Sequence, residues 1–181
     1  MTILSDRENM STKHARIAEL AKKDKEVKFT SIAHLLTQDA LYEAFVSLRK
    51  DASAGVDGVT YAEYEVDAWE NIRKLHDRQK SGQYRAQPLR RVYIPKEDGR
   101  QRPISIPSLE DKIVQKATVD LLNAIYEQDF LECSYGFRPR RGAQDALDEI
   151  RRVICTRPIS TVLEGDITGY LETASDYTSF S

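Results

Sequence analysis

Residues 89–107 constrain the fold more than any other part of this 181-residue chain. Two short segments rich in β-branched and aromatic residues, Leu89 to Ile94 and Gln101 to Ile106, flank a connection with an Asp-Gly turn signal at Asp98 and Gly99. Prolines at 95, 103 and 107 limit how far either segment can continue as a strand. The pattern predicts a β-hairpin.

Charge is segregated along the chain, although the formal net charge is only -2. The basic residues in and before the hairpin are Arg85, Arg90, Arg91, Lys96, Arg100 and Arg102, and we expect them to cover almost all of its outer face. Such a hairpin can place cations and N–H groups around a polyanion. Charged edge strands also occur simply as solvated surface, and the residues alone leave both interpretations open.

Helices are predicted on both sides of the hairpin. Apolar residues recur at helical spacing over residues 12–26, 37–50, 60–80, 109–126 and 143–154. Thr60 with Glu63, and Ser108 with Asp111, have the spacing of capping boxes and mark two helix starts. In the last helix we expect a buried stripe of Ala143, Ala146, Leu147, Ile150 and Ile154.

Cations alternate with aromatic residues in the loop before the last helix. Arg138, Arg140 and Arg141 lie close in sequence to Tyr135 and Phe137. Arginine pairs bidentately with phosphate and aromatic rings stack on unpaired bases, so the loop is a candidate RNA contact. In the alternative interpretation the two aromatic rings dock into the core and leave the arginines solvated. The two interpretations are compatible.

A short strand is predicted over residues 161–166, ending at Asp166, where metal-binding carboxylates are often found. By residue chemistry alone a capping or turn aspartate is favoured, because a two-metal site needs several carboxylates and no convincing second acid follows. The three histidines, His14, His34 and His76, have no catalytic partner at a recognisable spacing and are interpreted as structural. After Glu172 we expect disorder.

The composition favours a cytoplasmic protein without membrane attachment. No stretch approaches the roughly 18 consecutive apolar residues of a membrane helix, and the first residues contain no apolar export segment. Cys133 and Cys155 lack metal-binding spacing and are interpreted as reduced thiols.

Three stretches together have a recognisable pattern: RRVYIPKEDGRQRPISIP from residue 90, LEDKIVQ from residue 109 and YGFRP from residue 135. This pattern closely resembles the fingers of bacterial group II intron reverse transcriptases. The resemblance extends upstream through Ala54 to Thr60 and downstream to Asp166, and covers about residues 35–171. It implies a right-hand polymerase that is an RNA-directed DNA polymerase and intron maturase and uses two magnesium ions.

The resemblance also assigns roles to residues. It implies that Lys96 and Arg102 bind the triphosphate of the incoming deoxynucleotide, and that Asp166 is the first metal-binding aspartate of the palm, with the Ile167 carbonyl as a further ligand. The loop near Gly55 would lie along template and intron RNA. The arginines expected to bind intron RNA, or the RNA template with its DNA primer, are Arg90, Arg91, Arg138, Arg140 and Arg141.

The chain departs from the family pattern at its end. Family members usually have a lysine, an aromatic residue and an aspartate where this chain has Thr168, Leu171 and Glu172, and the Tyr-x-Asp-Asp segment is absent. We therefore expect a truncated or frame-disrupted reverse transcriptase that is inactive by itself. The alternatives are a non-enzymatic RNA-binding fragment, or one piece of a split polymerase completed by a separate palm polypeptide or a homodimer.

The predicted fold class is α+β, comprising the fingers and the start of the palm of a right-hand polymerase, mostly helical with a basic β-hairpin. The predicted segments are a helical lead (1–34), an N-terminal extension of the fingers (35–83), the fingers (84–160), the first palm strand (161–172) and a disordered tail (173–181). Because helix 109–126 and strand 161–166 would normally pack on a palm, we expect exposed apolar surface and marginal stability or aggregation.

Overall fold

The computed structural model describes residues 14–95, 99, 101–165 and 167. Residues 14–23 are helical (α1), and a 3-10 turn follows at Ala33–Leu35. The elements after this turn are α2 (Gln38–Ser47), α3 (Tyr61–Val66), α4 (Ala68–Lys80), β1 (Arg90–Pro95), β2 (Gln101–Ile106), α5 (Leu109–Tyr126) and α6 (Ala143–Thr156). This mixture of helices with an antiparallel hairpin agrees with the predicted α+β class.

Side-chain caps determine where three of the helices begin. Thr37 accepts a hydrogen bond from the Ala40 N–H at 3.2 Å and starts α2. The predicted capping box at Thr60 is confirmed, because its hydroxyl accepts from the Glu63 N–H while the Glu63 carboxylate accepts from the Thr60 N–H. Ser108 caps α5 in the predicted way. Each cap contributes about 1 kcal/mol by satisfying amides that the helix leaves unpaired.

The prediction of one continuous helix over residues 60–80 is wrong, because two helices, α3 and α4, meet at Asp67. This residue has φ -123 and ψ 38, which ends α3 and starts α4 in a new direction. The Asn71 side-chain amide donates to the Tyr64 carbonyl at 3.3 Å and satisfies an acceptor that the break exposes. One inward stripe nevertheless continues across the break, since Tyr64, Ala68, Ile72 and Leu75 are all buried.

The main core is formed by α2, α3, α4 and α5. Phe45 of α2 is stacked on Tyr61 of α3 with ring centroids 4.4 Å apart, and Ile72 of α4 and Ile113 of α5 are fully buried in the same cluster. A smaller cluster joins Ile17, Leu35 and Leu121. Leu20 of α1 is 46% exposed and is not part of this cluster.

The predicted hairpin is confirmed as an antiparallel pair. Its register pairs Arg90 with Ile106 and Ile94 with Arg102. Side chains alternate between the two faces of a strand pair, so these four residues share one face with Val92 and Ile104. The connection at residues 96–98 and 100 lies outside the described residues, and Gly99 adopts a φ of 79, as an Asp-Gly turn requires.

The structure divides into two compact units, Met1–Phe130 and Leu131–Ser181. In the second unit, the buried stripe predicted for residues 143–154 is wrong, because α6 has no buried residue and Leu147, Ile150 and Ile154 are each more than half exposed. The sequence of α6 is amphipathic, but no described element covers its apolar side. Its periodicity therefore predicted the helix correctly and the burial incorrectly.

The strand predicted at residues 161–166 is also not formed in the part that the structure describes. Residues 161–165 are exposed and lack regular secondary structure, and Asp166 lies outside the described residues. A strand needs a neighbour to accept its backbone hydrogen bonds, and the described sheet contains only β1 and β2. The assignment of residues 161–172 to a palm, like the other predicted segment boundaries, stays a prediction, and the tail after Glu172 lies outside the described residues.

Candidate nucleic-acid interface

The cations of the hairpin are divided between its two faces. Arg90 and Arg102 lie on the face that also carries the half-exposed apolar residues of both strands, whereas Arg91 lies on the opposite face beside Tyr93. The expectation that one outer face is almost entirely basic is therefore wrong for the described residues. Strand periodicity separates neighbouring arginines, so consecutive basic residues cannot form a single patch.

The three arginines of the hairpin also differ in their contacts. Arg90 donates from Nε to the Ala54 carbonyl at 3.0 Å, which ties the base of the hairpin to the preceding loop. Arg91 and Arg102 are exposed and make no hydrogen bond or ion pair with any residue that the structure describes. They are the hairpin cations available to an external anion, while Lys96 lies outside the described residues.

The loop of residues 51–59 is fastened to the start of α5 by close backbone contact. A Cβ atom at Gly55 would lie 2.5 Å from the Ser108 Cα and 2.8 Å from the Pro107 carbonyl oxygen, so this position requires glycine. Lys112 donates to the Ser53 carbonyl at 2.6 Å. Burial lowers the pKa of Lys112, with the charge of Asp57 opposing this shift and that of Arg90 adding to it.

Asp111 anchors the segment that leads into the hairpin. Its buried carboxylate accepts hydrogen bonds from the Ser108 hydroxyl at 2.8 Å, the Gln87 N–H at 3.0 Å and the Tyr84 hydroxyl. Burial, followed by the hydrogen bond to this carboxylate, raises the pKa of the Tyr84 hydroxyl. Because α5 begins here, one side chain connects the first turn of α5 to the chain before β1.

A second carboxylate, that of Glu110, holds α3 and α4 against the same end of α5. It accepts from Arg78 at 2.6 Å and from the Tyr64 hydroxyl at 3.5 Å. Burial first and the neighbouring Glu110 charge second raise the pKa of Tyr64. Sequence reasoning predicted the Ser108 contact of Asp111 but missed the other partners of the two carboxylates, because each of those lies more than 20 residues away along the chain.

In the second unit, the loop of residues 131–141 reverses the expected roles of its aromatic and basic residues. Phe137 is fully exposed with a φ of 56, whereas Arg138 is 7% exposed. Arg138 donates from Nη1 to the carbonyls of Leu131 and Ser134 at 2.8 and 2.9 Å. The docking of Phe137 in the core is wrong, and Arg138 instead holds the loop together.

The other two arginines of this loop are also unequal. Arg141 forms an ion pair with Glu132 at 2.5 Å, and its guanidinium lies 5.5 Å from the centroid of the Tyr135 ring. Arg140 is exposed, has a φ of 59 and makes no contact of these kinds with a described residue. Arg140 and Phe137 are thus the cation and the ring that the loop presents to solvent.

The residues assigned to metal binding are not assembled in the described part of the chain. Asp166 lies outside it, and Ile167 is 72% exposed. Among the described residues, no group of three or more histidine, cysteine, aspartate or glutamate side chains is placed to hold a metal ion. The described residues alone therefore do not fit a two-magnesium site, and the metal ligands stay a prediction. Cys133 and Cys155 are free thiols.

Comparison with known proteins identifies relatives along most of the chain. It is 34% identical over 171 residues to the protein YkfC of Escherichia coli K12, and 34% identical over 156 residues to the group II intron-encoded protein LtrA of Lactococcus lactis. These alignments cover 91% and 85% of the chain. The chain is a homologue of group II intron-encoded proteins. The resemblance found in its residues is confirmed, although no family model matches.

The relatives that the chain matches are longer than the chain itself. It spans 45% of the Escherichia coli protein and 26% of the Lactococcus lactis protein. A protein in the cob intron of Schizosaccharomyces pombe is 34% identical over 116 residues, 14% of its own length. In the described part of the chain, no helix has the length and hydropathy needed to cross a membrane.

Proposed function

We propose that this chain provides the fingers of a group II intron RNA-directed DNA polymerase that also has an RNA-binding maturase role. The homology with group II intron-encoded proteins supports this proposal. The observation that carries it in the structure is the hairpin, which has the residues of the fingers pattern and in which Arg91 and Arg102 make no hydrogen bond or ion pair with a described residue. Unpartnered arginines on a two-stranded arm are suited to phosphate groups.

In this function the hairpin would bind the incoming deoxynucleotide. Arg102 and Lys96 are the proposed triphosphate ligands, and the apolar face that Arg102 shares with Ile94 and Ile104 offers a surface for flat bases. Arg91, and Arg140 with Phe137, are the proposed contacts to the RNA template, the DNA primer or intron RNA. Arg90, Arg138 and Arg141 would position the loops that carry these contacts.

Asp166 and the Ile167 carbonyl are the proposed ligands of magnesium. In phosphoryl transfer, a bound metal ion neutralises charge on the phosphates and on the attacking oxygen. The carboxylates that would complete such a site are not among the described residues, so we propose that the chain binds nucleic acid and nucleotide in the cytoplasm without catalysing synthesis by itself. A palm polypeptide from elsewhere would restore catalysis if the enzyme is split.

RNA binding by the isolated chain tests the first part of the proposal. The dissociation constant should rise steeply with salt, and replacing Arg91, Arg102 and Arg140 together with alanine should weaken binding about 100-fold and reduce the salt slope by about 3. The matched control is a triple alanine variant of exposed arginines elsewhere, Arg49, Arg73 and Arg152. No RNA binding at low salt would exclude the proposal.

Primer extension on an RNA template tests the second part. With magnesium and deoxynucleotides, the isolated chain should give no template-dependent product. Incorporation by the isolated chain would show that the catalytic site is complete and would overturn the expected inactivity. A non-enzymatic RNA-binding role is the second candidate, favoured by the incomplete carboxylate set, and it predicts RNA binding without measurable binding of deoxynucleoside triphosphate.

A further inference from the structure

A second basic surface lies in the first unit and shares no residue with the hairpin. It is a cleft of about 610 Å³ between the 3-10 turn, the C-terminal end of α4 and the connection that follows. The basic residues that line it are His34, His76, Lys80 and Arg85. His34 and His76 are 42 positions apart and seemed structural in the sequence, and only the packing of the 3-10 turn beside α4 brings them to one cleft.

Lys80 and Arg85 give this cleft positive charge. Lys80 makes no ion pair or hydrogen bond with a described residue. Arg85 is oriented by one terminal nitrogen, which donates to the Gly82 and Tyr84 carbonyls at 2.8 Å each. Among the described residues no acidic side chain lines the cleft, and Asp77 beside it is 3.4 Å from the guanidinium of Arg73.

The walls of the cleft combine these cations with flat and apolar groups. Tyr84 and Leu36 line it together with the two imidazole rings. Gln79 also lines it, and its side-chain carbonyl oxygen is buried without a hydrogen-bond partner among the described residues. A buried acceptor of this kind is stabilised by a ligand that donates a hydrogen bond. Cations, rings and a vacant acceptor together suit a nucleotide better than a bare anion.

We infer that this cleft binds a nucleotide of single-stranded RNA, with its phosphodiester held by Lys80 and Arg85. The ribose hydroxyl or a base N–H would donate to Gln79. The inference rests on the proposed function only for the source of the ligand, RNA. It places a second contact with RNA on the helical side of the chain, away from the hairpin residues.

The test is nuclear magnetic resonance of the histidine side chains of the full chain, titrated with hexauridylate lacking terminal phosphates. The His34 and His76 resonances should shift on binding and the His14 resonance should not, since His14 does not line the cleft. Unmoved His34 and His76 resonances at saturation would overturn the inference.

Variants separate the cleft from the hairpin. Lys80→Gln and Arg85→Gln should each weaken the hexauridylate titration about tenfold, whereas Lys74→Gln, on the same helix but outside the cleft and beside Glu70, should not. Equal effects of Lys74→Gln and Lys80→Gln would overturn the inference. Arg91→Gln with Arg102→Gln should weaken binding to long RNA while the histidine shifts persist, so failure of the proposed function is distinguishable from failure of the cleft.

Two further ligands test the kind of molecule bound. Inorganic phosphate should shift the same histidine resonances only at concentrations at least tenfold higher than hexauridylate, and hexathymidylate should bind more weakly if Gln79 accepts from the ribose hydroxyl. Equal affinity for inorganic phosphate would mean a general anion site and would overturn the nucleotide assignment.

Discussion

At the scale of single residues, neighbouring side chains of the same type have different roles. Arg138 is buried and holds two carbonyls, whereas Arg140, two positions later, is exposed. Arg90 holds the Ala54 carbonyl and Arg91 does not contact a described residue through hydrogen bonds or ion pairs. Sequence reasoning grouped these residues as equivalent nucleic-acid ligands, because a charge pattern contains no information on which guanidinium is satisfied internally.

The contrast between Arg138 and Arg140 predicts opposite phenotypes. Arg138→Ala should destabilise the loop by about 1.5–3 kcal/mol, because the Leu131 and Ser134 carbonyls lose a charged donor. The loss should appear as faster hydrogen exchange of the Ser134 N–H, which donates to the Leu131 carbonyl. Arg140→Ala should leave exchange unchanged and weaken RNA binding with a salt slope smaller by about 1. Identical behaviour of the two variants would contradict these assignments.

Gly55 gives a second prediction at this scale. Gly55→Ala should lower the free energy of unfolding by at least about 1–3 kcal/mol. The added methyl group would lie 2.5 Å from the Ser108 backbone, so the two segments would have to separate. Chemical denaturation measures the loss. Gly136→Ala is the control, since nothing lies within 4 Å of a Cβ built there. If both variants unfold at the same denaturant concentration, the close contact is absent in solution.

At the scale of elements, local chemistry decides where helices begin, and packing decides where they bend. The caps at Thr37, Thr60 and Ser108 were readable from the sequence because their partners lie three residues away. The break at Asp67 was not readable, since no proline or glycine marks it and its dihedral angles are imposed by the fit of Tyr64 and Ala68 into one core.

The capping box gives a prediction about pH. Hydrogen bonds from the Thr60 backbone and then from its hydroxyl lower the pKa of Glu63 below its ordinary value of 4.5. A carboxylate with a depressed folded pKa stabilises the fold above its unfolded pKa and loses this effect as the pH falls through the folded pKa. Glu63→Gln should therefore be less stable than the parent at pH 7, and the difference should shrink as the pH falls below about 4.3 and through the folded pKa.

Thermal unfolding across pH 3–7 measures this difference. The matched control is Glu65→Gln, also on α3, whose carboxylate contacts Lys50 across the surface and does not cap the helix. A stability difference for Glu63→Gln that is constant over the whole pH range would show that its carboxylate does not act as the cap.

At the scale of the whole molecule, many apolar side chains lie outside the two core clusters and are exposed. Leu147, Ile150 and Ile154 of α6 are exposed. So are four apolar residues after this helix, Ile159, Val162, Leu163 and Ile167. The expectation of exposed apolar surface is confirmed for these residues, but it lies mainly on α6 rather than on α5, whose apolar side is buried in the two core clusters. Contiguous apolar surface of this kind favours association.

This exposed apolar surface predicts self-association, and replacing its apolar side chains with polar ones should reverse it. Leu147→Gln with Ile150→Gln should lower the apparent molecular mass measured by light scattering, without reducing the thermal midpoint, because neither residue is buried. Val46→Gln is the control, since Val46 is similarly exposed but lies on α2, outside this surface. A parent chain that is monomeric at high concentration, with a sharp cooperative melt, would contradict the prediction.

The sequence by itself determined the hairpin, the helix starts and the relationship to group II intron-encoded proteins, because turn residues, caps and motif spacing act over a few neighbouring positions. Only the tertiary structure decided which arginines hydrogen-bond within the protein and which are left to contact an external ligand. Arg90 and Arg138 meet carbonyls whose positions depend on the folded loops, and His34 meets His76 through the packing of two distant segments. The residues proposed to bind are therefore visible in the sequence of the hairpin, while the availability of each side chain depends on contacts that exist only after folding.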